Sequence, residues 1–326
     1  CDFCYNVWER KGARYPVGQL STSDTKRLLR KAIRESGCRQ VTFTGGEPLL
    51  REDLFDLISH VRKEGVTPTI ISNGTLFDEE RTKECLRRGV TLYEFPLLSA
   101  DRAIHDELSR HKGAFDKVCA AIANVKLHGG SVVAVFVGTK RNIGGLPAMI
   151  DLAIALGVDG IMFNRFNPGG RGAEHIDDLL PSSEEVATAL DTAEAASKRY
   201  GIGISSSIPI QPCLIDTEKY KKVSFGFCAA GTERAYYTLD PLGNIRMCNH
   251  TPTILGNLLE ESFEKMTSKE RTASFMAVRP SMCRGCKVEM TCLGGCKASA
   301  ETCYGSLCAE EPFLATRQNP GVKTPV

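Results

Sequence analysis

Gln40-Val-Thr-Phe-Thr-Gly-Gly-Glu-Pro48 is the stretch that decides the fold. A short apolar strand, 40–43, runs into two glycines, a carboxylate and a proline. Glycines let a ligand approach the backbone closely, and a fixed Glu47 can accept hydrogen bonds from an amino group. From these residues alone, a glycine turn with a solvated glutamate reads equally well. Further short strands are expected at 67–71, 91–95, 132–137 and 160–163. Amphipathic helices are expected at 22–36, 51–64, 78–88, 114–128 and 145–156, with Ser21 and Asp78 in cap positions;. This alternation implies a parallel sheet, open or closed into a barrel, whose ligands bind beyond the carboxyl ends of the strands.

The strand ends therefore carry the candidate site. They offer Gly45, Gly46 and Glu47, then Ser72 and Asn73, then Ser99, Asp101, His105, Asp106 and Arg110. The last strand ends in Asn164, Arg165 and Asn167, followed by Pro168-Gly-Gly-Arg171. His105 and Asp106 read better as a helix-start pair than as ligands. A long helix at 183–199 leaves the repeat, and a Ser/Pro/Gly-rich stretch at 201–212 reads as a linker. The expected division is 1–200, the linker, and a cysteine-rich domain over 213–326 whose end, 318–326, reads as frayed. A hairpin is expected at 235–247, turning at Asp240-Pro-Leu-Gly-Asn244 and carrying the packing pair Tyr236-Tyr237;.

The second half is dominated by cysteines spaced C-x14-G-x4-C, a gap of 34 residues, then C-x2-C-x5-C-x3-C. They are Cys228, Cys248, Cys283, Cys286, Cys292 and Cys296, with Cys303 and Cys308 beyond. Each iron–sulfur cluster needs four converging thiolates, and C-x2-C loops aim two at one place. Zinc also accepts closed Cys4 sites, and a disulfide framework is a third reading. Cys38, Cys85 and Cys119 have no ligand-like spacing and read as small core residues;.

Bulk properties narrow the class. A net charge of +2 over 326 residues, with no basic block, gives no reason to expect a nucleic-acid partner;. No apolar run approaches a membrane span. Fourteen cysteines persist as thiols only in a reducing interior, so a cytoplasmic metalloprotein is expected;.

Taken together, the strand-end motifs resemble the radical S-adenosylmethionine (radical SAM) superfamily, whose signature is C-x3-C-x-aromatic-C. Cys1, Phe3 and Cys4 match its last three marked positions. Its first cysteine would lie four residues before Cys1, so the chain is expected to be an N-terminally truncated form lacking the first barrel strand. Gly45-Gly46-Glu47-Pro48 matches the motif that binds the methionine amino group of S-adenosylmethionine. Ser72 and Asn73 fall where the family contacts that cofactor. Ser99 and Asp101 resemble its ribose-contacting segment, with Arg102 in place of the usual glycine. Arg110 is similar to an arginine reaching the cofactor carboxylate, one residue late. The implied fold is α/β: a partial (β/α)6 TIM-like barrel lacking its first strand, followed by a small cysteine-rich iron–sulfur domain.

The C-terminal cysteines resemble the SPASM extension of a subset of these enzymes. The resemblance implies three [4Fe–4S] clusters, one catalytic on Cys1 and Cys4 and two auxiliary. Cys228, Cys248 and Cys296 would hold the first auxiliary cluster, with Cys213 as candidate fourth ligand. Cys283, Cys286 and Cys292 would hold the second, completed by Cys303 in preference to Cys308. The implied chemistry is reductive cleavage of S-adenosylmethionine to a 5′-deoxyadenosyl radical, which abstracts a hydrogen atom from a substrate. A peptide or protein side chain leads as substrate, a tetrapyrrole side chain is the alternative, and flavodoxin or ferredoxin is the expected reductant. A non-catalytic electron-transfer protein is the reading from a different class.

Overall fold

The computed structural model describes residues 1–232 and 234–316, so the expected fraying at 318–326 lies outside the described residues. The barrel region begins with α1 (Thr22–Ser36) and then runs β1 (Gln40–Phe43), α2 (Leu54–Lys63), β2 (Thr67–Ile71) and α3 (Glu79–Arg87). It continues with β3 (Leu92–Pro96), α4 (Arg102–Ser109), α5 (Ala114–Leu127), β4 (Ser131–Gly138), α6 (Leu146–Ala155) and β5 (Gly160–Arg165). After α7 (Ile176–Leu179) and α8 (Ser183–Tyr200) come β6 (Gly203–Ser206) and β7 (Val223–Phe225). The seven strands pair in chain order, all parallel.

Local chemistry sets the helix starts. Ser21 Oγ accepts from the Asp24 N–H at 3.1 Å, and Asp78 accepts from the Arg81 N–H at 2.8 Å;. Ser182 and Glu185 close a reciprocal capping box that starts α8, and Gly201 ends it in the left-handed conformation;.

Two departures from the expected division follow from β6 and β7. The stretch read as a linker, 201–212, contains β6, and the sheet continues into the region assigned to the cysteine-rich domain. The barrel sheet is therefore longer than the expected set of strands.

Strand alternation separates two faces. Tyr93, Phe95, Val132, Ala134, Phe136, Ile161 and Phe163 are buried against the helices. Glu94, Val133, Val135, Val137, Met162 and Asn164 lie on the opposite, inner face and are only partly covered. Emptying one outer position is expensive: Phe136→Ala would cost about 3–5 kcal/mol.

Beyond the barrel, β8 (Thr238–Leu239), β9 (Asn244–Arg246) and β10 (Ile254–Asn257) form a three-stranded antiparallel sheet. The expected hairpin is there, but its strands are shorter and begin after the tyrosine pair. Tyr236 is exposed, while Tyr237 packs edge-on against Phe263. Asp240 makes the turn by accepting from the N–H groups of Leu242 and Asn244, each at 2.9 Å;. Gly243, the glycine of the cysteine pattern, has φ +92°, and a Cβ there would stand 3.0 Å from Leu28 Cδ1. That position must stay glycine because the turn presses on α1. Leu28 joins Ile245, Leu258 and Met266 in one apolar cluster, which fixes the extension to the barrel. Short helices complete it: α9 (Phe263–Met266), α10 (Lys269–Ala277), α11 (Glu289–Cys292) and α12 (Lys297–Tyr304).

Candidate active site and thiol clusters

The loop carrying Cys1 and Cys4 is held from several sides. The Asp2 N–H donates to Leu108 O at 3.1 Å, and the Gly172 N–H donates to Cys4 O at 2.9 Å. Asn6 Nδ2 donates to Gly45 O at 2.9 Å, which ties this loop directly to the glycine pair. Gly170, at φ +47°, lies so close beneath the loop that a Cβ would collide with the carbonyls of Asn6 and Cys4. Phe3 packs against the main core. Burial pushes the Cys4 thiol up;.

Glu47 is the centre of the next group. Ser72 Oγ lies 2.9 Å from both of its carboxylate oxygens, the Asn73 N–H donates to Oε2 at 2.9 Å, and the Leu49 N–H donates to Oε1 at 3.2 Å. Burial raises the Glu47 carboxyl, and these donors pull it the other way;. The structure thus brings together Gly45, Gly46, Glu47, Ser72 and Asn73 around one aimed carboxylate, beside the Cys1–Cys4 loop. The Asn73 side chain itself is spent on a local turn, accepting from the Thr75 N–H at 2.8 Å.

The third strand end is organised differently. Asp101 is the N-cap of α4, accepting from the Ala103 and Ile104 N–H groups at 2.7 and 3.2 Å. Ser99 Oγ accepts from the Asp101 N–H at 3.0 Å. His105 is buried, its Nδ1 accepting from the Leu98 N–H at 3.2 Å. Asp106 caps the start of α5 through Gly113 and Phe115 rather than α4. Arg110 is 3.5 Å from Asp2, so it meets the cysteine loop and not the Glu47 group.

At the end of β5, Arg165 is wholly buried and donates from one Nη to both oxygens of Glu311, at 2.8 and 2.9 Å. It braces barrel to extension and does not face a ligand. Asn164 is likewise engaged, its Oδ1 accepting from the Ser207 N–H at 2.9 Å. Asn167 does reach the thiols: Nδ2 is 3.3 Å from Cys296 Sγ and 3.3 Å from His250 Nδ1. Tyr5, Asn6 and His250 stand beside these groups and are not among the expected residues. Only the position of Tyr5 and Asn6 directly after Cys4 could have signalled two of them.

The thiols fall into two neighbourhoods that sense one another's charge. Cys228, Cys248 and Cys296 form one. Cys283, Cys286, Cys292 and Cys213 form the other. Cys213, the candidate fourth member of the first set, thus neighbours thiols of the second. Cys303, the candidate completing the second, has its Sγ 4.0 Å from Pro168 O and beside Ser299. Cys308 and Cys228 both act on the buried Lys297, whose ammonium burial pushes down to about 8. Burial pushes the Cys248 thiol up to about 11 and the Cys283 thiol up to about 11, and raises Cys296 further.

Among the described residues, no three Cys, His, Asp or Glu side chains converge tightly enough to hold a single metal ion. Two sets made wholly of thiols are a donor chemistry that fits iron–sulfur clusters, whose ligands are cysteine thiolates. Cys85 is fully buried, and Cys38 and Cys119 pack against core clusters, in keeping with a packing role.

A sequence model described as the Radical SAM superfamily matches residues 1–153, the span that holds the cysteine loop and the Glu47 group. Residues 1–153 are similar to that superfamily. The extension carries the SPASM cysteine pattern. A PqqA peptide cyclase of Granulibacter bethesdensis is 26% identical to this chain, over 97% of it and 83% of the relative. A PqqA peptide cyclase of Gluconobacter oxydans is 25% identical, over 97% and 86%. Among solved structures, anSMEcpe with bound AdoMet superimposes with a TM-score of 0.72 at 15% identity, covering 97% of this chain and 90% of that one. Streptococcus suis SuiB bound to precursor peptide SuiA gives 0.71 at 16%, covering 96% and 71%. These likenesses show a shared fold along nearly the whole chain.

Proposed function

We propose that this protein is a radical SAM peptide maturase, acting on a side chain of a precursor peptide. The observation that carries the reading is the Glu47 carboxylate, aimed by Ser72, Asn73 and Leu49 and tied through Gly45 and Asn6 to the Cys1–Cys4 loop. An anchored, half-buried carboxylate at a parallel strand end is suited to take an ammonium group, here the methionine amino group of S-adenosylmethionine. When bound, the cluster and S-adenosylmethionine supply one-electron cleavage of the sulfonium and a 5′-deoxyadenosyl radical that abstracts hydrogen.

The residues of this chain do the placing. Cys1 and Cys4 would hold the cluster from a loop fixed by Gly170, Gly172 and Asn6, and Phe3 anchors that loop in the core. Gly45 and Gly46 keep the backbone beside Glu47 free of side chains. Ser99, Asp101 and Arg110 line the neighbouring strand end, with Asp101 and Ser99 setting the loop and Arg110 pairing with Asp2. The partly covered inner face, with Glu94 and Asn164 among apolar side chains, is where a substrate would be received. Cys228, Cys248 and Cys296 would hold one auxiliary cluster, and Cys283, Cys286 and Cys292 the other.

The relatives favour a peptide over a tetrapyrrole. The curated ones are called peptide cyclases, and SuiB was solved with a precursor peptide. The thiol count suits a reducing cytoplasm, where a flavodoxin or ferredoxin would deliver the electron; no described helix is long and apolar enough to cross a membrane. The test is anaerobic incubation of the reconstituted protein with peptides encoded beside its gene. Loss of hydrogen from one peptide by mass spectrometry, dependent on S-adenosylmethionine, supports the reading. Turnover of a tetrapyrrole with no peptide change would replace it.

A further inference from the structure

Two glutamates meet at Ser72, and only one of their carboxylates is held. Ser72 Oγ and the Asn73 and Leu49 N–H groups aim Glu47. The Ser72 N–H donates to the backbone O of Glu94 at 3.2 Å, so Glu94 stands on the adjacent strand, opposite Ile71. Its side chain lies on the inner face with Leu92 and Pro96, while Tyr93 and Phe95 are buried behind;. Its neighbours in the same row, Ile71 and Val133, are both apolar. Among the described residues the Glu94 carboxylate has no hydrogen-bond or ion-pair partner, and burial alone raises it;. A half-buried carboxylate without a donor costs free energy that a charged donor would recover.

Beyond Val133 the row continues through Gly160 and Gly203, which bring no side chain to the inner face. A Cβ at Gly203 would meet nothing within 4 Å. A cavity of about 280 Å³ opens there against Val133, Met162, Ser205 and Ser224. The inner-face positions of the seven strands hold no lysine or arginine, and Lys222, which lines the cavity, is four strands from Glu94. The barrel therefore offers an acceptor, an apolar flank and room beside them, with no cation of its own at Glu94.

We propose that Glu94 is a specificity residue that takes a basic side chain of the precursor peptide, a lysine or an arginine, close to the residue being modified. This rests on the reading of the protein as a peptide maturase. The ammonium or guanidinium pairs with the carboxylate, and its methylene stem lies along Ile71 and Val133. A neighbouring residue of the peptide fills the trough over Gly160 and Gly203. Glu47, already held by its three donors, keeps the methionine amino group, so the two carboxylates divide cofactor from substrate.

The experiment uses the whole encoded protein, reconstituted anaerobically, and the peptides encoded beside its gene. Dissociation constants for peptide and, separately, for S-adenosylmethionine are measured with the wild type and Glu94→Gln. Peptide affinity should fall about tenfold to a hundredfold, as when one charge-assisted pair is lost, with cofactor affinity unchanged. Replacing one basic residue of the peptide by glutamine should produce the same loss with the wild type, and the two losses should not add. This peptide arm does not depend on the folding of any variant. Unchanged peptide affinity in Glu94→Gln, or a peptide indifferent to each of its basic residues, would overturn the proposal. A loss confined to cofactor affinity would also overturn it, by moving Glu94 to the cofactor. In each of these cases a wild type that modifies the peptide keeps the maturase reading. A wild type that modifies none of these peptides removes that reading, and the proposal with it.

Discussion

The ring of Tyr5 stacks on the imidazole of His250, with centroids 4.3 Å apart and planes 24° from parallel. Tyr5 follows Cys4, and His250 stands two residues after Cys248, so this stack joins the Cys1–Cys4 loop to the segment carrying Cys248. The Tyr5 hydroxyl also accepts from Asn249 Nδ2 at 3.1 Å. Tyr5→Phe should cost about 1 kcal/mol, the value of one hydrogen bond. Tyr5→Leu should cost about 2 kcal/mol, since it also loses the ring stack. Denaturant midpoints at unchanged slope read both costs. Equal midpoints for the two variants would show that the stack contributes nothing.

Glu47→Gln keeps the shape of the side chain and removes its charge. Binding of S-adenosylmethionine should weaken roughly tenfold to a hundredfold, as expected when a charge-assisted hydrogen bond is lost. Iron content should not change, because Glu47 is not a thiol ligand. Equilibrium dialysis with labelled cofactor measures this directly, and unaltered affinity would remove Glu47 from the site.

Acid should destabilise the barrel through His105. Burial pushes its imidazole down to about 4, and Nδ1 must stay unprotonated to accept from Leu98. The unfolded chain therefore takes up more protons than the folded one between the usual histidine value and about 4;. Its share of stability is complete above that window and lost as pH falls through it. Unfolding free energies across the window should flatten in His105→Gln. An identical pH slope in the variant would contradict this.

Removing one side of the wholly buried Arg165–Glu311 pair leaves an uncompensated charge between barrel and extension. Glu311→Gln should cost about 3–5 kcal/mol, whereas an apolar replacement of both partners should recover much of the loss. Thermal or chemical unfolding of the single and double variants tests the coupling.

The sequence carried the barrel because its signals are local. Tyr93 and Phe95, then Val132, Ala134 and Phe136, then Ile161 and Phe163 alternate at strand spacing, and Ser21 and Asp78 mark helix starts within a few residues. Gly203–Ser206 and Val223–Phe225 were missed as strands because they are short and serine-rich, and they gain their place only by pairing on β5 and on each other. The Glu47 group was legible because its motif is contiguous and sits directly after a strand. An N-cap aspartate and a binding aspartate have the same sequence appearance, so the cap role of Asp101 was not legible. The partners of Arg165, Tyr5 and Cys213 lie far along the chain, and no spacing rule brings them together. Packing of the extension on the barrel does so, through the Gly295–Gln211 contact and the Leu28 cluster.

The most direct test of the account is 5′-deoxyadenosine formation by the whole encoded protein, reconstituted anaerobically and given S-adenosylmethionine and dithionite. The account predicts that 5′-deoxyadenosine accumulates. It also predicts that Cys1→Ala with Cys4→Ala abolishes that product while the auxiliary iron stays bound. No product from iron-loaded protein, or undiminished product from the variant, would contradict it.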